Sequence, residues 1–219
     1  MSGHTVSSFD QELEQLAAMV AEMGELAKIS VRDAIAALSN CDEELAQKVV
    51  DSDVHLDALQ RKVEDRVTLM ITRRQPMAQD LREIMASMRI AGDLERVGDL
   101  SKNIAKRIKH SKNSCFMKNL VSGVERLADK AVLQLSRVLG SFISDDIVEA
   151  MAVWHGDVEI NAAYTSLFRE LLTYMMEDSR TITFCTHLLF CAKNLERIGD
   201  HVQNISETVY YSLTGEQPQ

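Results

Sequence analysis

Residues 94–105 read LERVGDLSKNIA and residues 195–206 read LERIGDHVQNIS, so the second stretch follows the first by 101 positions (195 − 94). Seven of the twelve positions are identical, and they include Gly, Asp and Asn, which are poor choices for a helix interior. Leu, Glu and Arg are common helix formers and carry less of the signal. A segment repeated with its unfavourable residues intact points to an internal duplication, and its apolar spacing is helical. Each half of the chain therefore owns one copy of a long amphipathic helix.

Working outward, apolar residues recur at helical spacing nearly everywhere. Leu13, Leu16, Val20, Met23, Ala27, Val31, Ala34 and Leu38 form the first run, which stops near Asn40. Asn40 with Glu43 has a capping-box arrangement and opens a second helix that reaches about Arg74. Pro76 breaks it and suits the first turn of a third helix, from about Met77 to His110. The polar run Lys109 to Asn113 is the best linker, and the plan then repeats over 116–140, 144–177 and 181–213, with Gly140 as C-cap and Ser144 or Asp145 as N-cap. The expected fold is all-α: six long helices in two tandem three-helix bundles, 1–112 and 113–219.

Composition agrees. Only 2 prolines and 9 glycines interrupt the chain, too few for the turns of a many-stranded fold. With 24 Lys plus Arg against 33 Asp plus Glu the net charge is −9, which excludes a nucleic-acid binder that works by neutralising phosphates. No apolar run approaches the roughly 20 residues of a membrane span. Met1 to Gln11 carries no basic, apolar leader, and Cys41, Cys115, Cys185 and Cys191 form no CxxC pair, so reduced thiols in a cytosolic protein are expected.

Glu95, Asp99 and Asn103 stand at i, i+4 and i+8, and Glu196, Asp200 and Asn204 repeat the pattern. At about 100° per residue, with Glu95 as zero, Asp99 and Asn103 fall at about 40° and 80°, while Leu94, Val97, Ile104 and Ile108 lie between about 180° and 260°. The row is thus read as facing away from the core. The second helix adds Asp53 and Asp57, and the fifth adds Asp157 and Asn161 at matching positions. Like charges at i, i+4 cost a few tenths of a kcal/mol, so a row used twice invites a reason. A hard cation is one, because oxygen donors without thiolates or a His cluster suit magnesium, manganese, calcium or iron. An ordinary solvated face, neutralised by Arg96 or Arg197, is the other.

Gly98 and Gly199 each cost about 1 kcal/mol against alanine inside a helix, which points to close packing or ligand access. The 11 methionines fall mostly on apolar faces and read as core filler. His187 and His201 read as structural or exposed, with His201 beside Asp200 the one histidine placed to assist a metal. Trp154 marks a packing point. No phosphate loop, GxSxG, HExxH or Cys–His pairing is present, and Gly98 and Gly199 stand where an ExxH di-iron motif needs histidine.

The sequence closely resembles the PhoU family of bacterial phosphate-signalling proteins over nearly its whole length. The resemblance rests on Leu94 to Asp99, on Leu195 to Asp200, on Gln75-Pro76-Met77-Ala78-Gln79-Asp80-Leu81-Arg82, and on Asp178-Ser179-Arg180-Thr181-Ile182. It implies tandem three-helix bundles and multinuclear iron or zinc sites on ExxxD motifs. Those roles would fall on Glu95, Asp99, Glu196 and Asp200, with Asp53, Asp57 and Asp157 from neighbouring helices. It also implies a regulator that restrains phosphate uptake and the starvation response by contacting a phosphate ABC transporter and a sensor histidine kinase at the cytoplasmic membrane. Two departures matter: Asn161 stands where the first repeat has Asp57, and Thr181, Ile182 and Thr183 replace Asp80, Leu81 and Arg82. The second site is therefore expected to hold metal less tightly, whether the metal is iron, zinc, manganese or magnesium.

The leading expectation is a non-enzymatic adaptor, recruited to the inner membrane by the transporter ATPase and the kinase. An acidic surface is repelled by an anionic bilayer, so protein partners or a bridging cation must hold it there. Homodimerisation is expected without a motif that carries it. The rivals are a metal-dependent phosphate-ester hydrolase, since paired carboxylates can hold two metals, and a metal-free helical scaffold.

Overall fold

The computed structural model describes residues 3–108 and 118–218. Six long helices run through them: α1 Gly3–Asn40, α2 Glu43–Arg74, α3 Ala78–Ile108, α4 Lys118–Ser144, α5 Ile147–Glu177 and α6 Ile182–Thr214. A short 3-10 turn, Ser179–Thr181, leads into α6. The expected domain boundary at residue 112 lies outside the described residues.

The first three helices pack on one another, as do the last three, and the two sets join through α3 on α6 and α1 on α4. Among the described elements, α2 touches only α1 and α3, while α5 touches only α4, α6 and the short turn. So α3 and α6, the two copies of the repeated segment, are the inner helices, and α2 and α5 are the outer covers. Their apolar faces supply the core: Leu94, Val97 and Ile104 of α3 and Leu195, Ile198 and Ile205 of α6 are all fully buried.

The helix ends differ from the sequence reading in instructive ways. Asp42, not Asn40, caps α2, accepting from the Leu45 backbone N–H at 2.9 Å. Asn40 instead completes α1 and donates to the Ala36 carbonyl. The second half does the same one repeat later: α4 runs through Gly140 to Ser144, and Asp146, not Ser144 or Asp145, caps α5 by accepting from Glu149. Each cap is preceded by a residue with positive φ, Cys41 at 55° and Asp145 at 53°. A left-handed residue reverses the chain within the turn, so the capping carboxylate must follow it. Pro76 likewise sits in the connection after Gln75, itself left-handed at φ 49°, and α3 starts only at Ala78.

Asp157 follows Asp53 by 104 positions (157 − 53), whereas Glu196 follows Glu95 by 101 (196 − 95). The second repeat is thus three residues shorter between these aspartates and glutamates, and the loss falls within the helices, since the connection Asp178 to Thr181 that replaces Gln75-Pro76-Met77 is itself longer. One expectation about cysteine fails. Cys41 is disulfide-bonded, while Cys185 and Cys191 are free thiols, both buried, with the Cys191 thiol pushed up to about 12 by burial.

Candidate functional site

The acidic row of α3 does not look into open water. Its helix wheel records only the apolar sector of α3 itself, whereas α2 lies over the flank of that sector and covers the row. Asp53 of α2 is buried, 7% exposed, and the Glu95 side chain is 16% exposed; in the second repeat the Glu196 side chain is 13% exposed. Asp57, Asp99 and Asp157 are half-buried, and Asp200 is exposed. The carboxylates therefore line two seams, α2 against α3 and α5 against α6, each open along one edge.

The glycines make these seams narrow. A Cβ on Gly98 would lie 2.5 Å from Leu56 Cδ1 and 3.5 Å from Asp53 Oδ1; one on Gly199 would lie 3.0 Å from Ile160 Cγ2 and 3.5 Å from Asp157 Oδ1. Close packing is their role, and each lets the aspartate of the covering helix approach the backbone of the inner one.

Charge is balanced differently in the two seams. In the first, the Lys102 ammonium donates to Asp53 and, at 3.3 Å, to Asp99 Oδ1. Arg96 lies 3.5 Å from both Glu95 and Asp99, and Arg61 lies 4.0 Å from Asp57. Burial above all raises the Glu95 carboxyl above its usual range; Arg96 opposes this, and the Asp99, Asp57 and Asp53 charges add to it. The bond to Asp53 in turn raises Lys102. In the second seam, Lys193 donates to Glu196 Oε1 at 2.6 Å and Asn161 donates to Asp157 Oδ2, also at 2.6 Å. The other Asp157 oxygen, Oδ1, is buried and has no hydrogen-bond partner among the described residues. Lys102 and Lys193 escaped the sequence reading, although each stands three residues from an acidic partner on its own helix, Asp99 and Glu196.

An orphaned buried carboxylate oxygen is costly, and a hard cation is one group that would satisfy it. The donor set fits such an ion in kind, being carboxylate and amide oxygens, with four carboxylates in the first seam against three and Asn161 in the second. Among the described residues, however, no three His, Cys, Asp or Glu side chains converge as a ready metal cage. In the first seam the lysine stands where a cation would compete.

The remaining candidates sit elsewhere. His201 turns from Asp200 and pairs with Asp93 across the α3–α6 contact, Nδ1 to Oδ1 at 2.9 Å. The Trp154 indole N–H donates to Glu207 at 2.9 Å, tying α5 to α6.

Burial first, then the Asp200 and Glu196 charges, hold the Asp157 carboxyl above its ordinary value, while the Asn161 amide opposes them. A carboxyl raised in the folded chain stabilises folding when protonated; that contribution is complete below the unfolded value and is lost as pH rises through the folded one. Ionised Asp157 is accordingly a burden at neutral pH. Asp157→Asn is expected to melt higher than the parent at neutral pH without divalent cations, with the gap shrinking toward about pH 4. Thermal melts across that range check this, and a variant that melts lower at neutral pH contradicts it.

Comparison with known proteins places both repeats together. The chain matches the PhoU domain family over residues 20–108 and 124–209. It is 55% identical over 216 residues to the phosphate-specific transport system accessory protein PhoU homolog of Rhizobium meliloti (strain 1021), covering 99% of this chain and 91% of that protein. It is 37% identical to the phosphate-specific transport system accessory protein PhoU of Edwardsiella tarda, covering 99% and 88%. Among solved structures, PhoU from Pseudomonas aeruginosa superposes with a TM-score of 0.87 at 32% identity, covering 95% of this chain and 100% of that one. The phosphate transport system regulatory protein PhoU from Streptococcus pneumoniae superposes at 0.88 with 26% identity, covering 96% and 99%.

Proposed function

The chain belongs to the PhoU family, and from that premise we propose that it is a non-enzymatic regulator of phosphate homeostasis that restrains phosphate uptake and the starvation response. It acts through protein contacts with the ATPase of a phosphate ABC transporter and with a sensor histidine kinase, from the cytoplasmic side of the inner membrane. The observation that carries this reading is near-full-length similarity, across both repeats, to proteins named as accessories of phosphate-specific transport. Among the described residues no helix is long and apolar enough to cross a membrane, and in this reading attachment falls to protein partners.

Hard cations in the seams belong to the same reading. Asp53, Asp57, Glu95 and Asp99 would hold one set and Asp157, Glu196 and Asp200 the other, with Asn161 as a neutral donor. When bound, a cation supplies positive charge between two helices whose facing carboxylates otherwise repel. Lys102 and Lys193 do part of that work already, holding Asp53 and Glu196 in place. The glycines keep the covering helices close enough for carboxylates from both to share one ion.

Affinity capture of the tagged full chain from cells grown in high and low phosphate tests the reading. Recovery of the transporter ATPase and the kinase, in amounts that change with phosphate, is expected; recovery of neither in either medium contradicts it.

A further inference from the structure

At the end of the molecule where α1 and α3 begin and α4 and α6 finish, the helices leave a groove of about 520 Å³. Its floor is apolar and low. Ala17, Ala18 and Ala21 of α1 present no more than methyl groups, and Leu13, Phe142 and Leu213 flank them. Its rim is acidic: Asp10 and Glu14 of α1, Glu83 of α3 and Asp145 of the α4–α5 turn. Among the described residues, no lysine, arginine or histidine lines it.

These four carboxylates differ from those in the seams. Lys102, Arg96 and Lys193 answer the seam acids, whereas none of the four on the rim forms an ion pair or side-chain hydrogen bond with another described residue. Burial, with the charges of Asp145 and Asp80, raises the Glu83 carboxyl, so the rim is a place where negative charge is already crowded. Ile143, 64% exposed, adds an uncovered apolar side chain at the lip.

We propose that this groove receives an amphipathic helix of a partner protein, its apolar face on the alanine floor and its lysines or arginines against Asp10, Glu14, Glu83 and Asp145. The alanines let a helix backbone come close, which is the helix-in-groove mode of recognition. The unanswered rim supplies charge complementarity, and a chain of net charge −9 steers cationic segments toward itself. A small organic cation would use the rim and leave the apolar floor wet; an anionic membrane would be repelled. The inference rests on the adaptor reading in taking the occupant to be a protein segment, yet its test requires neither phosphate nor a native partner, so failure here leaves the capture experiment standing.

The test uses the full chain and a fluorescein-labelled helix of about 18 residues with leucine and lysine at helical spacing, followed by anisotropy near physiological salt. Two variants alter the groove: E83Q/D145N removes two rim charges, and A18W fills the floor. E64Q/D65N removes the same charge from the exposed face of α2. Each groove variant is expected to weaken binding by about tenfold or more, and E64Q/D65N by less than about twofold. Circular dichroism verifies that A18W folds; if it does not, the two charge variants decide. Equal weakening by both charge variants would mean diffuse attraction to an acidic protein and overturns the proposal. Displacement of the peptide by spermidine at comparable concentration assigns the groove to small organic cations and overturns it as well.

Discussion

Replacing Gly98 with valine is expected to destabilise the chain by about 2 kcal/mol or more and to part α2 from α3. A Cβ there meets Leu56 Cδ1 at 2.5 Å, and Leu56 is 3% exposed, held by the core on its other sides. The leucine must leave its rotamer or α2 must move, and interiors packed to crystal density yield to neither cheaply. Gly199→Val is expected to act in the same direction more mildly, because Ile160 lies at 3.0 and 3.1 Å. Gly92 provides the control. It lies in the same helix with nothing within 4 Å of a Cβ, so Gly92→Ala is expected to stabilise by about 0.5–1 kcal/mol through helix propensity alone. Urea unfolding of the three variants checks this. A Gly98→Val chain as stable as the parent would mean that the seam has slack.

The second large effect concerns the cations. At a free concentration of about 100 times its dissociation constant, a ligand that binds only the folded state stabilises by about 2.7 kcal/mol per site. Manganese(II) is therefore expected to raise the melting temperature of the parent, and the variant with Ala at Glu95, Asp99, Glu196 and Asp200 to lose that response. Elemental analysis of the two purified proteins provides the independent readout, with metal expected in the first and not the second; equal content in both would remove the cations from the seams. In acid solution binding should also release protons, because Glu95, Asp157 and Asp200 all sit above their usual range, for which burial is the leading cause. The missing charge at Asn161 would weaken a second site, while the unsatisfied Asp157 Oδ1 would favour it; titration of Lys102→Ala against the parent is expected to show how far the lysine shields the first.

Much of the architecture was legible in the sequence because its signals are local. The 3.6-residue apolar period identifies helices, and a repeat that retains Gly98 and Gly199 at helical positions identifies duplication. The two glycines even pointed to close packing, which Leu56 and Ile160 supply. What failed depended on information one helix does not contain. Asn40 looked like a cap because its spacing to Glu43 is right, but the left-handed turn at Cys41 hands the role to Asp42. Glu95 and Asp99 appeared to face away from the core because a wheel drawn on α3 knows nothing of α2 lying over its flank. Lys102 was overlooked for the same reason, its partner Asp53 being 49 positions away in the chain (102 − 53). The groove was invisible in the sequence, since its rim gathers residues 10, 14, 83 and 145 from two helices and a turn.

The regulatory reading is tested most directly by transcription. In a strain lacking this gene and grown with abundant phosphate, transcripts of the phosphate-starvation response are expected to rise well above the parental level and to return when the full chain is supplied in trans. Parental transcript levels in the deletion strain under those conditions would contradict the account.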